Sequence, residues 1–225
     1  MSAWEHPDAI REAFAGLETA NVSDVLDRLG FPHQALDPAL RPVSPTGGTV
    51  AGWAYTIQGQ HTPFDTAADP NKMAALDGVT PGTLTVWSGG GARGVCLFGE
   101  LLARGMAARG ALGAVVDGGV RDVRHIRSLG FAVWARYVTP VQSTGRWKVN
   151  AWQIPVYLPG ATAPWVRVEP GDLVLADDDG VVVVPRSLVE TVLEETRALT
   201  DTEAEIRART DETAPSELMR RYGRI

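Results

Sequence analysis

Three residues of this 225-residue chain carry side chains that suit metal and anion chemistry: Glu100, Arg121 and Asp122. Two carboxylates offer hard oxygen ligands to a divalent cation, and a guanidinium offers paired N–H donors to a carboxylate. Twenty residues separate Glu100 from the Arg121-Asp122 pair. That spacing is not specific by itself, so the elements around these residues must decide whether they form a site.

The sequence around them predicts alternating strands and helices. Short apolar runs of β-prone residues indicate strands, and segments rich in Ala, Leu and Met, closed by a glycine, indicate helices. Such an alternation predicts a βαβαβ unit with parallel strands. The predicted elements are a strand at Leu84–Ser88, a helix at Glu100–Arg109, a strand at Ala114–Val116, a helix at Asp122–Leu129 and a strand at Ala132–Tyr137.

Parallel strands place these three residues at one edge of the sheet. Ligands of open α/β sheets bind at that edge, beyond the carboxyl ends of the strands. Glu100 begins the helix after the first strand, and Arg121 and Asp122 follow the second strand. The N–H groups of the first turn of the helix favour an anion at the same place. The pattern therefore predicts a site for a metal ion and a carboxylate.

A structural interpretation of the same residues is also open. Glu100 in a first helical turn would complement the helix dipole, and Asp122 would be a suitable N-cap for the helix that follows it. The pattern alone does not separate this interpretation from the functional one.

Three further features have both a functional and a simpler interpretation. His61 follows a predicted strand and could lie at the rim of a site, although a lone loop histidine is typically solvated. Asp177-Asp178-Asp179-Gly180 lacks the glycine and distal glutamate of a calcium loop, which favours a hairpin turn between Leu173–Ala176 and Val181–Val184. Cys96 is better explained as a small apolar filler than as a nucleophile.

Composition excludes several classes of protein. Hydrophobic residues make up 44% and charged residues 21% of the chain, as in soluble globular proteins. A net charge of -6 without a basic stripe argues against nucleic acid as a partner. No apolar run is long enough to span a membrane, and the first residues lack a signal-peptide core. Because there is one cysteine, no internal disulfide can form, and we predict a cytoplasmic protein.

The rest of the chain predicts a single domain over residues 1–225. It has helices at about 8–30, a strand at Thr49–Gln58 and a C-terminal helix at about 187–209 that is followed by a tail. Residues 139–165 predict short strands of undetermined register. The chain has only two lysines, Lys72 and Lys148, which leaves few candidates for a Schiff-base amine.

The sequence resembles the RraA-like family, which includes the 4-hydroxy-4-methyl-2-oxoglutarate/4-carboxy-4-hydroxy-2-oxoadipate aldolases. The resemblance covers nearly the whole chain, and its two central segments reproduce the family's acidic-x20-Arg-Asp signature. One departure is Glu100, because these aldolases usually have aspartate there. The matching segments are Thr19-Ala20-Asn21-Val22-Ser23-Asp24, Gly99-Glu100-Leu101-Leu102, Val116 to Asp122, and Pro170-Gly171-Asp172 through Gly180-Val181-Val182.

This resemblance implies a fold and an assembly. The fold would be of the α/β class, a ββα sandwich like the swivelling phosphohistidine domains, containing the βαβαβ unit. The chains would assemble as homotrimers or homohexamers, with the sites between subunits.

The resemblance also implies roles for individual residues. Asp122 would bind Mg²⁺ or Mn²⁺ directly, and Glu100 would hold the waters of the ion. Arg121 and the turn from Gly99 through Glu100, Leu101 and Leu102 would bind the pyruvyl end of the substrate. A glutamate from the C-terminal helix of a neighbouring subunit would also approach the metal, and the match is either Glu203 or Glu205.

The implied function is a metal-dependent lyase that acts on 2-oxo acids. It would cleave a 4-hydroxy-2-oxo acid to pyruvate, decarboxylate oxaloacetate, or do both, because each reaction forms a pyruvate enolate that Arg121 and the metal would stabilise. The alternative is a non-catalytic regulator that binds a protein partner, like the ribonuclease regulator that gives the family its name. The intact Arg121-Asp122 pair favours the enzyme. The sequence does not specify the substrate beyond the pyruvyl unit, although Arg146 and Trp147 could shape that part of the pocket.

Overall fold

A mixed sheet of nine strands lies at the centre of the computed structural model, which describes residues 7–44, 47–63 and 66–223. The strands of this sheet are β1 (Arg41–Pro42), β2 (Val50–His61), β3 (Thr83–Ser88), β4 (Cys96–Phe98), β5 (Gly113–Val120), β6 (Ala132–Val138), β7 (Trp147–Trp152), β10 (Leu173–Ala176) and β11 (Val181–Val184). Two short strands, β8 (Val156–Leu158) and β9 (Val166–Val168), form a separate antiparallel sheet.

Seven α-helices accompany the sheets in the described part of the chain. They are α1 (Pro7–Phe14), α2 (Thr19–Arg28), α3 (Pro70–Asp77), α4 (Glu100–Ala107), α5 (Val123–Leu129), α6 (Val189–Arg207) and α7 (Pro215–Tyr222). None of the helices in these ranges is long and apolar enough to cross a membrane. Residues 1–6, for which the sequence predicted only the lack of a signal-peptide core, lie outside the described residues.

The order along the large sheet is β1-β6-β5-β3-β2-β10-β11, with β4 paired to β5 and β7 paired to β2. Strands β2, β3, β5 and β6 are parallel to their neighbours within that group, which confirms the predicted parallel unit. Strands β1, β7, β10 and β11 pair antiparallel with their partners. The hairpin predicted between β10 and β11 is also confirmed.

The strand directly before α4 differs from the prediction. We expected the Leu84–Ser88 strand to lead into the Glu100 helix, but β4 intervenes and runs parallel to the end of β5. Three residues are too few to show a periodic pattern, which is why the sequence did not indicate β4. The approach of β4 to β5 depends on Gly119, where an added Cβ would lie 2.6 Å from the carbonyl oxygen of Val95.

The sheets and helices form three layers. On β2, Tyr55 and Ile57 belong to the core under α3, α4 and α5, and Ala51 belongs to the core under α1, α2 and α6. Ala54 faces the opposite side of the sheet, where β8 and β9 cover a third apolar cluster around Trp134. Because strand residues alternate between faces, all these helices lie on one face and the small sheet on the other. The order of layers is the predicted ββα sandwich.

The Asp177 turn joins the N-terminal helices to the β10–β11 hairpin. The carboxylate of Asp177 accepts hydrogen bonds from the main-chain N–H of Thr19 at 2.8 Å and from its hydroxyl at 2.7 Å. It also accepts one from the N–H of Asp179 at 3.0 Å. These bonds cap α2 and close the hairpin turn, so the aspartate run is structural, as predicted.

Replacing Asp177 with alanine should destabilise the fold without affecting the chemistry of the site. Since the mutation leaves the N–H groups that Asp177 satisfies without an acceptor, we expect the free energy of unfolding to fall by about 2 kcal/mol. Urea denaturation measures this change. The matched control is Asp178→Ala, because Asp178 is exposed in the same turn and should change stability little. Equal losses in the two variants would contradict the capping role.

Candidate active site at the carboxyl ends of β4 and β5

A cavity of about 190 Å³ opens where β4 and β5 end. It is lined by Gly99, Leu101 and Leu102 at the start of α4 and by Arg121 and Asp122 after β5. The structure therefore places the two predicted segments at one edge of the sheet, around a common space. This juxtaposition results from the β4–β5 pairing, which sets Phe98 beside Val120 and lets the N–H of Arg121 bond to the carbonyl oxygen of Phe98 at 3.1 Å.

Asp122 adopts an unusual backbone conformation at the centre of the site. Its φ of 59° and ψ of 30° lie in the left-handed region, and its side chain makes no capping hydrogen bond to α5. The Oδ2 atom instead lies 3.4 Å from the main-chain nitrogen of Glu100 and 3.4 Å from Nε of Arg121. The N-cap interpretation of the Asp122 side chain is therefore wrong. The left-handed turn directs the carboxylate back toward α4 instead of forward along α5.

Gly99 allows the Asp122 carboxylate to approach α4. Its φ of −151° is ordinary extended backbone, so conformational freedom does not explain the glycine. A Cβ added at this position would lie 2.9 Å from Oδ2 of Asp122 and 3.3 Å from Cγ of Arg121. A side chain at position 99 would therefore displace both functional groups.

Glu100 contributes its backbone to this arrangement, but its side chain lies elsewhere. The carboxylate of Glu100 accepts a hydrogen bond from Nε of Arg104, one helical turn along α4. Our expectation that the carboxylates of Glu100 and Asp122 converge is therefore not met, because an i,i+4 arginine lies within reach of Glu100. In keeping with this, no three His, Cys, Asp or Glu side chains of the described ranges form a group that could hold a metal ion.

The two C-terminal glutamates lie on α6. Glu203 is half-buried and Glu205 is exposed, and neither is among the residues that line the cavity of this chain. The contribution of either residue to a neighbouring subunit's site stays a prediction.

Lys72 and the loop at residues 142–144 are cavity-lining features that the sequence analysis missed. The Nζ atom of Lys72 lies 3.3 Å from Oγ of Ser143, 3.6 Å from Oδ2 of Asp69 and 5.1 Å from the centroid of the Trp147 ring. Burial lowers the pKa of Lys72, and the charge of Asp69 opposes that shift. The only available signal was Asp69, a residue type suited to an N-cap, three positions before the lysine.

The remaining candidates lie in or beside this region. Cys96 is buried in the cavity wall, and burial raises the pKa of its thiol, in keeping with a packing role. His61 ends β2, where its Nδ1 lies 3.2 Å from the carbonyl oxygen of Arg146, and it is not among the residues that line the candidate cavity. Arg146 bonds to the carbonyls of Gln142 and Thr144, and thereby supports the cavity loop from outside.

The fold and this cavity define a ββα protein with a small cavity at one edge of its sheet, lined by Arg121 and Asp122. A family model described as RraA-like, Aldolase/RraA, matches residues 19–183. The chain belongs to the RraA-like family.

Individual relatives extend this comparison. Protein DlpA of Legionella pneumophila is 32% identical over 190 residues, which are 84% of this chain but 29% of that protein. The 4-hydroxy-4-methyl-2-oxoglutarate aldolase of Thermus thermophilus is 34% identical over 122 residues, 54% of this chain and 70% of the enzyme. Among solved structures, Streptomyces coelicolor RraAS2, described as an unusual member of the RNase ES inhibitor RraA family, matches with a TM-score of 0.75 at 29% identity. That alignment covers 90% of this chain and 96% of RraAS2.

Two substitutions at Asp122 test whether its left-handed backbone conformation is strained. Asp122→Gly and Asp122→Ala remove the same carboxylate, but only glycine adopts positive φ without steric cost. We expect the glycine variant to be more stable than the alanine variant by about 1 kcal/mol, as measured by urea denaturation. An alanine variant as stable as the glycine variant would contradict the strain.

Proposed function

We propose that this chain is a divalent-metal-dependent lyase that cleaves a 4-hydroxy-2-oxo acid to pyruvate, decarboxylates oxaloacetate, or does both. One observation carries the proposal: the Arg121 guanidinium, the Asp122 carboxylate and the first turn of α4 surround one small cavity. The similarity to an aldolase of Thermus thermophilus supports the reaction type.

The donor set around Asp122 fits Mg²⁺ or Mn²⁺. Mg²⁺ is usually held by one or two carboxylates together with waters and substrate oxygens, so it needs no cage of protein ligands. Asp122 would hold the ion, with Glu203 of a neighbouring subunit as a further ligand. When bound, the ion would serve as a Lewis acid for the keto group of the substrate.

Glu100 would help to hold the waters of the ion once its carboxylate has exchanged its hydrogen bond to Arg104 for one to those waters. Its present partner is Arg104, whose side chain is 57% exposed, whereas that of Glu100 is 16% exposed. Because the exposed arginine can be solvated when the pair separates, Glu100 would leave Arg104 without stranding a buried cation. In that position its carboxylate would also help to accept the proton of the departing hydroxyl group.

Arg121 and α4 would bind and stabilise the pyruvyl unit. The guanidinium would offer paired donors to the substrate carboxylate, and Leu101 and Leu102 of the first turn of α4 line the same cavity. When the C–C bond breaks, its electron pair passes to the pyruvyl unit and forms an enolate. Arg121 would stabilise that negative charge where it develops. Loss of carbon dioxide from oxaloacetate leaves the same enolate, so one site serves both reactions.

An assembly of identical subunits would complete this site. Leu101 is 77% exposed at the cavity, and Val138 and Val141, just before the cavity loop at residues 142–144, are also exposed. A homotrimer or homohexamer would cover such residues. The same exposed residues favour the second candidate function, a non-catalytic regulator that docks a protein partner.

The decisive experiment measures pyruvate release from oxaloacetate and from a 4-hydroxy-2-oxo acid with added Mg²⁺ or Mn²⁺. We expect turnover that a chelator abolishes, and we expect Arg121→Ala to lower kcat/KM by about 10²–10³-fold because the enolate loses its cation. Arg124→Ala is the matched control, since Arg124 is exposed on the adjacent helix and should keep full activity.

Other outcomes separate the candidates. Pyruvate release that is indifferent to chelator, or full kcat in a folded Arg121→Ala variant, would overturn the proposed mechanism. A folded protein without turnover on either substrate would favour the regulator.

A further inference from the structure

A second cavity lies beside the large sheet, away from the candidate active site. Its larger part has a volume of about 720 Å³, and an adjoining part of about 290 Å³ shares Gly91, Asp117 and Trp165 with it. None of the described residues lines both this second cavity and the candidate active site. The larger part alone is within the range of about 300–1,000 Å³ that small-molecule sites occupy.

The second cavity lies toward the carboxyl ends of the parallel strands, on the face that carries the small sheet. Ser88, the last residue of β3, lines it. Arg136 of β6 also lines it, and because Ala135 belongs to the core under the helices, Arg136 faces the other side of the sheet. Tyr157 of β8 and Trp165 contribute aromatic side chains from the small sheet and its connection. The cavity is therefore at the end of the strands where α/β sheets bind their ligands.

A nearly buried carboxylate in this cavity lacks part of its hydrogen bonding. Arg136 donates hydrogen bonds from Nε to Oδ1 of Asp117 and from Nη1 to Oδ2 of Asp37, the latter at 3.1 Å. The Asp117 side chain is only 7% exposed. Its Oδ2 atom has no hydrogen-bond partner among the described residues, yet it is not one of their fully enclosed atoms. Because buried polar groups are normally paired, this oxygen needs a donor that reaches it through the cavity.

Positive and negative charge are separated within the second cavity. Asp37, Asp117 and Arg136 together carry one net negative charge, because two carboxylates surround one guanidinium. Arg93 follows the turn after β3 and is exposed, and it has no ion-pair or hydrogen-bond partner within residues 7–44, 47–63 and 66–223. A ligand that carries both an ammonium group and a carboxylate would complement these two charges.

The aromatic side chains indicate a ligand with a flat ring. Trp165 lines both parts of the cavity and is 61% exposed, and Tyr157 beside the smaller part is also exposed. A ring packed against an exposed indole removes apolar surface from water and gains the favourable geometry of an aromatic pair. An ammonium group close to the same rings is stabilised further by their π-electrons.

We propose that the second cavity binds an aromatic amino acid. The ammonium group would donate to Oδ2 of Asp117, the carboxylate would bind Arg93, and the ring would pack against Trp165. These three residues come from β5, from the segment after β3 and from the segment before β9, and all of them line the larger part of the cavity. The proposal is independent of the lyase function, because it uses no residue of the candidate active site.

Four probes that differ by one group test the proposal on the unmodified full chain. L-Tryptophan has all three groups, tryptamine lacks the carboxylate, indole-3-propionate lacks the ammonium group and L-alanine lacks the ring. Calorimetric titration should show saturable binding of L-tryptophan with a Kd below about 1 mM. Tryptamine and indole-3-propionate should each bind at least about tenfold more weakly, because each loses a charge-assisted hydrogen bond. L-Alanine should not bind measurably.

Variants assign each group of the ligand to its residue. Arg93→Gln should weaken binding of L-tryptophan about tenfold and leave tryptamine unaffected, because tryptamine has no carboxylate to lose. Asp117→Asn should weaken L-tryptophan about tenfold and leave indole-3-propionate unaffected. Circular dichroism checks that this variant is folded, and the probe series tests the same contact without a mutation. Trp165→Ala should weaken L-tryptophan about threefold to tenfold, and Trp165→Phe should restore most of the affinity.

Two arginine variants outside the second cavity are the matched controls. Arg124 is exposed on α5, and Arg121 lines the candidate active site, so Arg124→Gln and Arg121→Ala should both bind L-tryptophan as the unmodified protein does. A loss of binding in Arg121→Ala would place the amino acid in the candidate active site and overturn the proposal. Equal binding of L-tryptophan and the two truncated indoles, or no saturable binding at all, would also overturn it. None of these results depends on pyruvate release, so this proposal and the lyase proposal can fail separately.

Discussion

The left-handed turn at Asp122 is the constraint on which the candidate site depends. Its φ of 59° turns the carboxylate away from α5, whose N-terminus it would otherwise cap, and toward the first N–H of α4. This region is unfavourable for non-glycine residues, although aspartate and asparagine enter it most readily, and here the carboxylate gains no capping bond in return. Strain of this kind persists where the surrounding structure enforces it, and it is concentrated at functional sites.

The surrounding fold enforces this turn through close backbone contacts. Strand β4 lies against the end of β5, which brings the start of α4 beside the residues that follow β5. Two glycines make these close contacts possible. Gly119 leaves room for the backbone just before β4, and Gly99 leaves room for the Asp122 carboxylate. Both contacts depend on a missing side chain, so even an added methyl group at either glycine would disturb the site.

Sequence patterns predicted most of the framework but only part of the site. The parallel unit and the β10–β11 hairpin follow from apolar runs and glycine positions, which are local signals, and the structure confirms them. Strand β4 was missed because three residues carry no period. The Glu100 side chain was misplaced because the salt bridge to Arg104 was not weighed against convergence on Asp122. Lys72 and Ser143 were missed because their meeting depends on contacts between residues 71 positions apart.

The most direct test is a Mn²⁺ titration, followed by electron paramagnetic resonance, of the unmodified protein and of Asp122→Asn. Asparagine keeps the shape of the side chain and tolerates the left-handed backbone, so only the charge and one oxygen ligand are lost. The account predicts stoichiometric binding that weakens by at least about tenfold in the variant, because Mn²⁺ depends on a hard anionic ligand. Equal Mn²⁺ affinity in the two proteins would contradict the account, because Asp122 would then not be a ligand of the metal ion.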